Sequence, residues 1–173
     1  MGYTTDFDGY VEINPPLNSE QRDYINKFSR TRRMHRNNGP YFVGGTGEFG
    51  QGHDTDIINF NSPDPSQPGL WCQWVVSDDG STLEWDGGEK FYNSAEWMVY
   101  LIQHFLGNRP VANGDPNVPD FGTGRTVNGT IYAQGEDSSD CWRLCVVDNE
   151  VTTEDGNISY GNPRVLQPKR MER

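Results

Sequence analysis

The sequence predicts a single α+β domain in which two amphipathic helices cover one face of an antiparallel sheet. Three observations lead to this fold class: two meander-like pairs of β-rich segments, two capped helical segments, and the chain order of these elements. The order is β-α-β-β-α-β-β, which is the ferredoxin-like order with one extra strand. The 173 residues fit one domain, because a domain of that size buries roughly 70% of its unfolded surface.

The first strand and the first helix are separated by a pair of prolines. Residues 7–13 alternate in character, and the prolines at 15–16 prevent the sheet ladder from continuing. Asn18 and Gln21 then have the spacing of a capping box. A helix is therefore predicted over 19–33.

The central hairpin is the clearest local pattern. Residues 70–76 and 81–86 are two β-rich runs, and the turn between them contains Gly80. Alternation places Trp74 and Trp85 on the same face of the hairpin. That face is predicted to carry the core.

A second helix and a second meander complete the predicted sheet. The helix is predicted over 94–106, with Asn93 as its N-cap and about half of its surface apolar. Two further strands are predicted over 127–133 and 142–147, and another strand is possible in the sequence near 151–153.

Two long segments rich in Gly and Pro interrupt these elements. Segment 37–69 is predicted to be one long loop and 107–125 a second, within a single domain that covers 1–161. Residues 162–173 show no pattern and are predicted to form a C-terminal tail. Because long loops in compact domains are often functional, 37–69 is the first segment in which we expect a site.

The net charge of −11 is unevenly distributed, which limits the classes of partner. Residues 1–36 carry six basic and five acidic groups, whereas 37–163 carry four basic and nineteen acidic groups. An acidic body repels phosphate backbones, so general nucleic-acid binding is not expected. The sequence shows neither a membrane-spanning apolar run nor a signal-peptide pattern, so we expect a cytoplasmic protein without a membrane partner. Its three cysteines are expected to be reduced.

Two motifs imitate nucleotide-binding signatures. Segment 45–50 fits G-x-G-x-x-G, and 120–122 reads Asp-Phe-Gly. The sequence between them contains no H-R-D motif and no lysine on a suitable strand, and no helix is predicted to begin at Gly50. We therefore expect a glycine-rich turn there and no nucleotide cofactor.

Clustered carboxylates keep a divalent-metal-dependent hydrolase open as an alternative. Glu84, Asp86 and Glu89 lie around the end of the hairpin, and converging carboxylates hold metals in hydrolytic sites. None of the acidic clusters has EF-hand spacing, and no zinc-ligand spacing occurs. Solvated acidic turns are the simpler interpretation, so no metal is predicted. Divalent-specific thermal stabilisation that is lost on Glu84→Ala or Asp86→Ala would favour the hydrolase.

The first candidate binding surface is the basic run near the predicted end of the first helix. Arginines there can grip an anion in a bidentate fork, or they can pair with the helix dipole and the protein's own carboxylates. On a continuous helix Arg32 would fall within the apolar stripe, where an unpaired charge is costly. The residues selected are Arg32, Arg33, His35 and Arg36.

The second candidate surface is the face of the sheet that the helices leave uncovered. Alternation places a mixture of aromatic and polar side chains there, which is typical of a recognition surface unless the long loops fold over it. The residues selected are Trp71, Gln73, Glu84, Tyr132 and Arg143.

Several segments of the chain resemble a family of small acidic proteins from bacteria and tailed phages that has no established function. The segments that carry the resemblance are Met1–Phe7, Pro15-Pro16-Leu17, Thr31–Met34, Trp71–Trp74, Leu83–Tyr92 and Glu96–Ile102. The resemblance implies no activity and no catalytic residue.

Taken together, these patterns favour a non-catalytic binding or regulatory protein over an enzyme. We expect it to recognise a protein or a small anionic partner and, if it is phage-encoded, to act on a host factor in the host cytoplasm. The hydrolase and a role as a component of a larger assembly stay open as alternatives. The sequence predicts no oligomeric state.

Overall fold

Eight strands and two helices make up the described part of the computed structural model, residues 2–45 and 52–169. The second helix ends in a π-helical turn over Ile102–Leu106. The elements in chain order are β1 (Thr5–Asn14), α1 (Ser19–Arg30), β2 (Met34–Arg36), β3 (Ile57–Pro63), β4 (Trp74–Val76), β5 (Thr82–Trp85), α2 (Ser94–Leu101), β6 (Thr126–Gly135), β7 (Cys141–Val147) and β8 (Glu150–Asp155).

The main sheet has six antiparallel strands in the order β4-β5-β1-β6-β7-β8. Strand β1 pairs with β6 over its whole length, from Thr5↔Gly135 to Asn14↔Thr126. The predicted α+β class with an antiparallel sheet and two helices is confirmed. The ferredoxin-like order is not confirmed, because this sheet has six strands and β2 pairs with β3 in a separate two-stranded ladder.

Alternation along the strands gives the sheet one buried and one exposed face. On β1, Val11 and Ile13 are buried, whereas Tyr10 and Glu12 are exposed. Both helices contribute to the core on the buried side, where the Phe28 ring of α1 lies 6.0 Å from that of Trp97 on α2. The opposite face of the sheet is therefore turned away from both helices.

The start of α1 is as predicted, but its end is not. The Gln21 amide donates to Asn18 Oδ1 at 2.9 Å, and the Asn18 amide donates to Gln21 Oε1 at 3.0 Å, which completes the capping box. The helix ends at Arg30, because Thr31 has an extended backbone and its hydroxyl donates to the Lys27 carbonyl. The prediction that the helical stripe continues through Arg32 is wrong.

The second helix is confirmed over 94–106, but its cap differs from the prediction. Asn93 has a left-handed backbone (φ 57°) and makes no side-chain cap bond. Its side-chain amide instead donates to the Pro68 carbonyl at 2.8 Å. Asn93 thus connects the start of α2 to the segment that precedes β4.

The segment 37–69 is not a continuous loop. It contains β3, which pairs irregularly with β2. The structure is described up to Gly45 and again from Gly52, so most of the predicted glycine-rich turn at 45–50 lies outside the described residues. Segment 107–125 consists of turns and irregular backbone, as predicted, and 156–169 is exposed throughout.

Cys72, Cys141 and Cys145 are free thiols, as predicted. Within the described ranges, none of the helices has both the length and the apolar character needed to cross a membrane.

Buried thiol and phenol groups should make the fold less stable at alkaline pH. Burial raises the pKa of the Cys72 thiol from 9.0 to about 12, and it also raises the pKa of Tyr24 and Tyr100. Above about pH 9 the unfolded chain releases these protons while the native state keeps them, so unfolding is favoured as the pH rises. We expect the free energy of unfolding to fall by about 1.4 kcal/mol per pH unit for each fully linked group. Urea unfolding at a series of pH values measures this slope.

The Cys72→Ala variant separates the contribution of the thiol to this pH dependence from that of the tyrosines. It should start from a lower stability because it leaves a cavity, but its stability should fall less steeply around pH 9, which is a full unit below the pKa of 10 that tyrosines have in the unfolded chain. A slope equal to that of the wild type would contradict a linked, buried thiol at Cys72.

Candidate functional site on the open sheet face

Arg33 of the basic run is part of the scaffold. Its side chain is buried, and its guanidinium donates to the carbonyls of Thr31, Pro40 and Phe42. The guanidinium carbon also lies 4.2 Å from the centre of the Phe28 ring. Burial lowers the pKa of Arg33 to about 10. These contacts engage Arg33 with its own chain, so we leave it out of the proposed binding site.

Arg36 is likewise engaged within the protein. Its Nη1 lies 3.1 Å from Asp54 Oδ2 and 3.0 Å from Asp56 Oδ1, and the guanidinium stacks over the Phe42 ring. The side chain is buried, and the two carboxylates are largely buried. The sequence analysis left open that arginines of the basic run pair with the protein's own carboxylates. Arg36 does so.

Arg32 and His35 are half-buried and reach other parts of the chain. Arg32 Nη2 donates to the Phe60 carbonyl at 3.2 Å, and its buried Nε has no hydrogen-bond partner within the described ranges. His35 Nε2 lies 4.0 Å from Asp64 Oδ2. All four predicted residues of the basic run thus contact other parts of their own chain between 31 and 64.

Trp71 and Gln73 lie just before β4, which begins at Trp74. Burial alternates here as it does in the strand, with Cys72 buried and Trp71 and Gln73 half-buried. They line a groove of about 620 Å³ between segments 63–70 and 89–93. Gln73 bridges to the second segment by donating to the Glu89 carbonyl at 3.1 Å. The predicted location of these two residues on the uncovered face of the sheet stays a prediction.

The uncovered face of the main sheet, here called the open face, carries the other three predicted residues. Cross-strand register places Glu84 beside Tyr10. It also places Tyr132 beside Arg143. Tyr10 and Tyr132 are 50% and 57% exposed, so no loop of the described chain covers them fully. Asp8 is next to Tyr132 on the neighbouring strand β1.

The open face is strongly acidic. Its strands place six carboxylates and one guanidinium on it, a formal charge of −6 + 1 = −5. Arg143 donates to Glu154, and this bond is the main cause that raises the pKa of Arg143. The face therefore attracts cationic groups and repels anions. The carboxylates belong to Asp6, Asp8, Glu12, Glu84, Glu150 and Glu154.

A pocket of about 490 Å³ lies on the open face between β1, β6, β7 and β8. Its lining combines the carboxylates of Asp6 and Asp8 with the phenol of Tyr132, and Gly156 with Asn157 line it where the chain leaves β8. An aromatic ring beside carboxylates suits a partner that has both an apolar and a cationic group. Asp6, Asp8 and Tyr10 were missed in the sequence, although alternation along the first strand would have placed them on this face.

The acidic residues after the hairpin do not form a metal centre with their neighbours. Asp86 Oδ1 accepts the Gly88 amide at 2.7 Å, and burial raises the pKa of Asp86. In residues 2–45 and 52–169, the structure contains no group of three or more His, Cys, Asp or Glu side chains that could hold a metal ion.

No protein-family model, no curated protein and no solved structure matches this chain. The resemblance to small acidic proteins of bacteria and tailed phages therefore stays a prediction. We base the functional assignment on the geometry and charge of the open face.

Proposed function

We propose that this protein is a non-catalytic binding protein whose open face recognises a basic, partly apolar segment of a protein partner. The observation that carries the proposal is the charge of this face, where six carboxylates lie on the same side of the sheet as the exposed rings of Tyr10 and Tyr132. Aromatic side chains supply contact area, whereas charge complementarity selects the partner and speeds its association.

A protein segment suits this site better than the small anion that the basic run suggested. The guanidiniums of Arg33 and Arg36 are engaged with carbonyls and carboxylates of their own chain. The open face repels anions, and the guanidinium that lines its pocket, that of Arg143, is paired with Glu154. If the chain is phage-encoded, the partner is a host factor with a basic surface segment.

We also propose that the sheet is a ferredoxin-like arrangement extended by two strands. The antiparallel order β4-β5-β1-β6, with α1 between β1 and β4 in the chain and α2 between β5 and β6, supports this interpretation. Strands β7 and β8 are then additions at one edge, and they enlarge the open face.

Binding of a fluorescent peptide of alternating lysine and leucine tests the proposed function. We expect Asp8→Lys to weaken binding about tenfold, because it replaces attraction by repulsion beside the pocket. Tyr132→Ala should weaken it about fivefold, because the aromatic contact is lost. Fluorescence anisotropy at low ionic strength measures both effects, and added salt should reduce the affinity.

Asp78→Lys is the matched control, since it makes the same change in net charge at an exposed turn away from the open face. It should change the affinity by less than about twofold. If Asp78→Lys weakens binding as much as Asp8→Lys does, the attraction is a general property of an acidic protein and the proposed site is wrong. The same pair of variants, used as baits in the native source, then distinguishes a specific partner from background.

A further inference from the structure

The C-terminal segment, defined here as residues 158–169, is an exposed apolar extension. The Gly156 amide donates to the Cys141 carbonyl at 2.7 Å, and every described residue after it is exposed. Tyr160, Val165 and Leu166 are 91%, 88% and 90% exposed. Apolar side chains of this size gain free energy when a partner surface removes them from water.

The same segment is also cationic and extended. It contains Arg164 and Lys169 and no acidic residue. Pro163 and Pro168 restrict the backbone to extended conformations, which lowers the entropy lost when the segment binds. The segment therefore has the chemistry that the open face is suited to bind.

We propose that the C-terminal segment binds the open face of a second copy of this protein. This inference rests on the proposed function, since it assigns a particular basic and apolar segment to the same face. The formal charge of −5 on the open face complements the positive segment, and the pocket beside Tyr132 accepts its apolar side chains.

A second copy is a better donor of the segment than the same chain. Asn157 lines the pocket of its own chain, yet every described residue from Ile158 onward is exposed, so the segment does not occupy that pocket. The segment is therefore free to bind the open face of a second copy. Because each copy has both surfaces, two copies can exchange segments reciprocally and form a closed dimer. An external partner then competes with the exchanged segment for the open face.

Sedimentation velocity on the full chain and on a chain that ends at Asn157 tests the self-association. We expect a salt-sensitive dimer for the full chain and a monomer for the shortened one, with far-UV circular dichroism confirming that both are folded. A full chain that stays monomeric, or a dimer that survives the truncation, would overturn the proposal.

A synthetic peptide of residues 158–169, added to the shortened chain, identifies the face that is bound. The peptide should bind, its affinity should fall about tenfold when Val165 and Leu166 are both replaced by Ser, and Asp8→Lys should weaken it while Asp78→Lys does not. If this peptide fails but the lysine–leucine peptide binds, the further inference is wrong and the proposed function stands. If neither peptide binds, both are wrong. If the peptide binds although the full chain is monomeric, the segment occupies its own face and the second-copy proposal fails.

Discussion

Trp74→Ala is expected to lower the free energy of unfolding by about 3–5 kcal/mol, which is typical of removing a fully buried aromatic side chain. Trp74 is 0% exposed, and its ring lies 5.3 Å from that of Phe7 and 5.0 Å from that of Phe91. Its indole N–H also donates to the Ser94 carbonyl at 2.9 Å, which joins the sheet to the start of α2. The substitution leaves a large cavity and removes the hydrogen bond from the indole to the Ser94 carbonyl. Urea unfolding followed by far-UV circular dichroism measures the change.

Trp85→Ala is the matched control, because Trp85 faces Trp74 across the β4–β5 pair but is only partly buried. Its loss should cost about half as much, since part of the side chain already contacts water. Trp74→Phe keeps most of the volume and should cost about 1–3 kcal/mol, including the lost hydrogen bond to the Ser94 carbonyl. Equal losses for Trp74→Ala and Trp85→Ala would contradict the assignment of Trp74 to the centre of the core.

Local sequence patterns predict the parts of this fold that local interactions determine. The capping box of Asn18 and Gln21 needs only residues three positions apart, and it is present as predicted. The end of α1 was predicted too late, because the extended backbone of Thr31 is accompanied by a bond from the Arg33 amide to the distant Leu70 carbonyl. Strand β3 was missed because its residues are mostly exposed, so they lack the alternation that marks a half-buried strand.

The difference between local and distant interactions also explains which residues of the candidate site could be predicted. Glu84, Tyr132 and Arg143 lie within regular strands, so period-two alternation assigns them to the open face without any knowledge of their neighbours. Trp71 and Gln73 precede the first residue of β4, so their assignment to this face depends on an alternation that continues beyond the strand. The burial of Arg33 depends on carbonyls at 40 and 42, which only the folded loop brings to it. A run of arginines in a sequence does not reveal such partners.

Arg36→Met is expected to lower the free energy of unfolding by about 3 kcal/mol, because it leaves Asp54 and Asp56 largely buried without their shared cation. Methionine retains most of the apolar stem of the arginine, so the loss reports mainly on the charge. The stacking of the guanidinium on Phe42 is lost as well. Urea unfolding at neutral pH measures the effect.

Arg30→Met is the control from the same basic run, since Arg30 is exposed in the last turn of α1. It should cost less than about 1 kcal/mol, the usual size of an interaction with the helix dipole. Adding Asp54→Asn and Asp56→Asn to Arg36→Met should recover part of the lost stability, because no buried charge is then left uncompensated. If Arg36→Met costs no more than Arg30→Met, Arg36 does not support the fold. Its guanidinium would then be available to bind an anion, and the basic run would compete with the open face as the binding site.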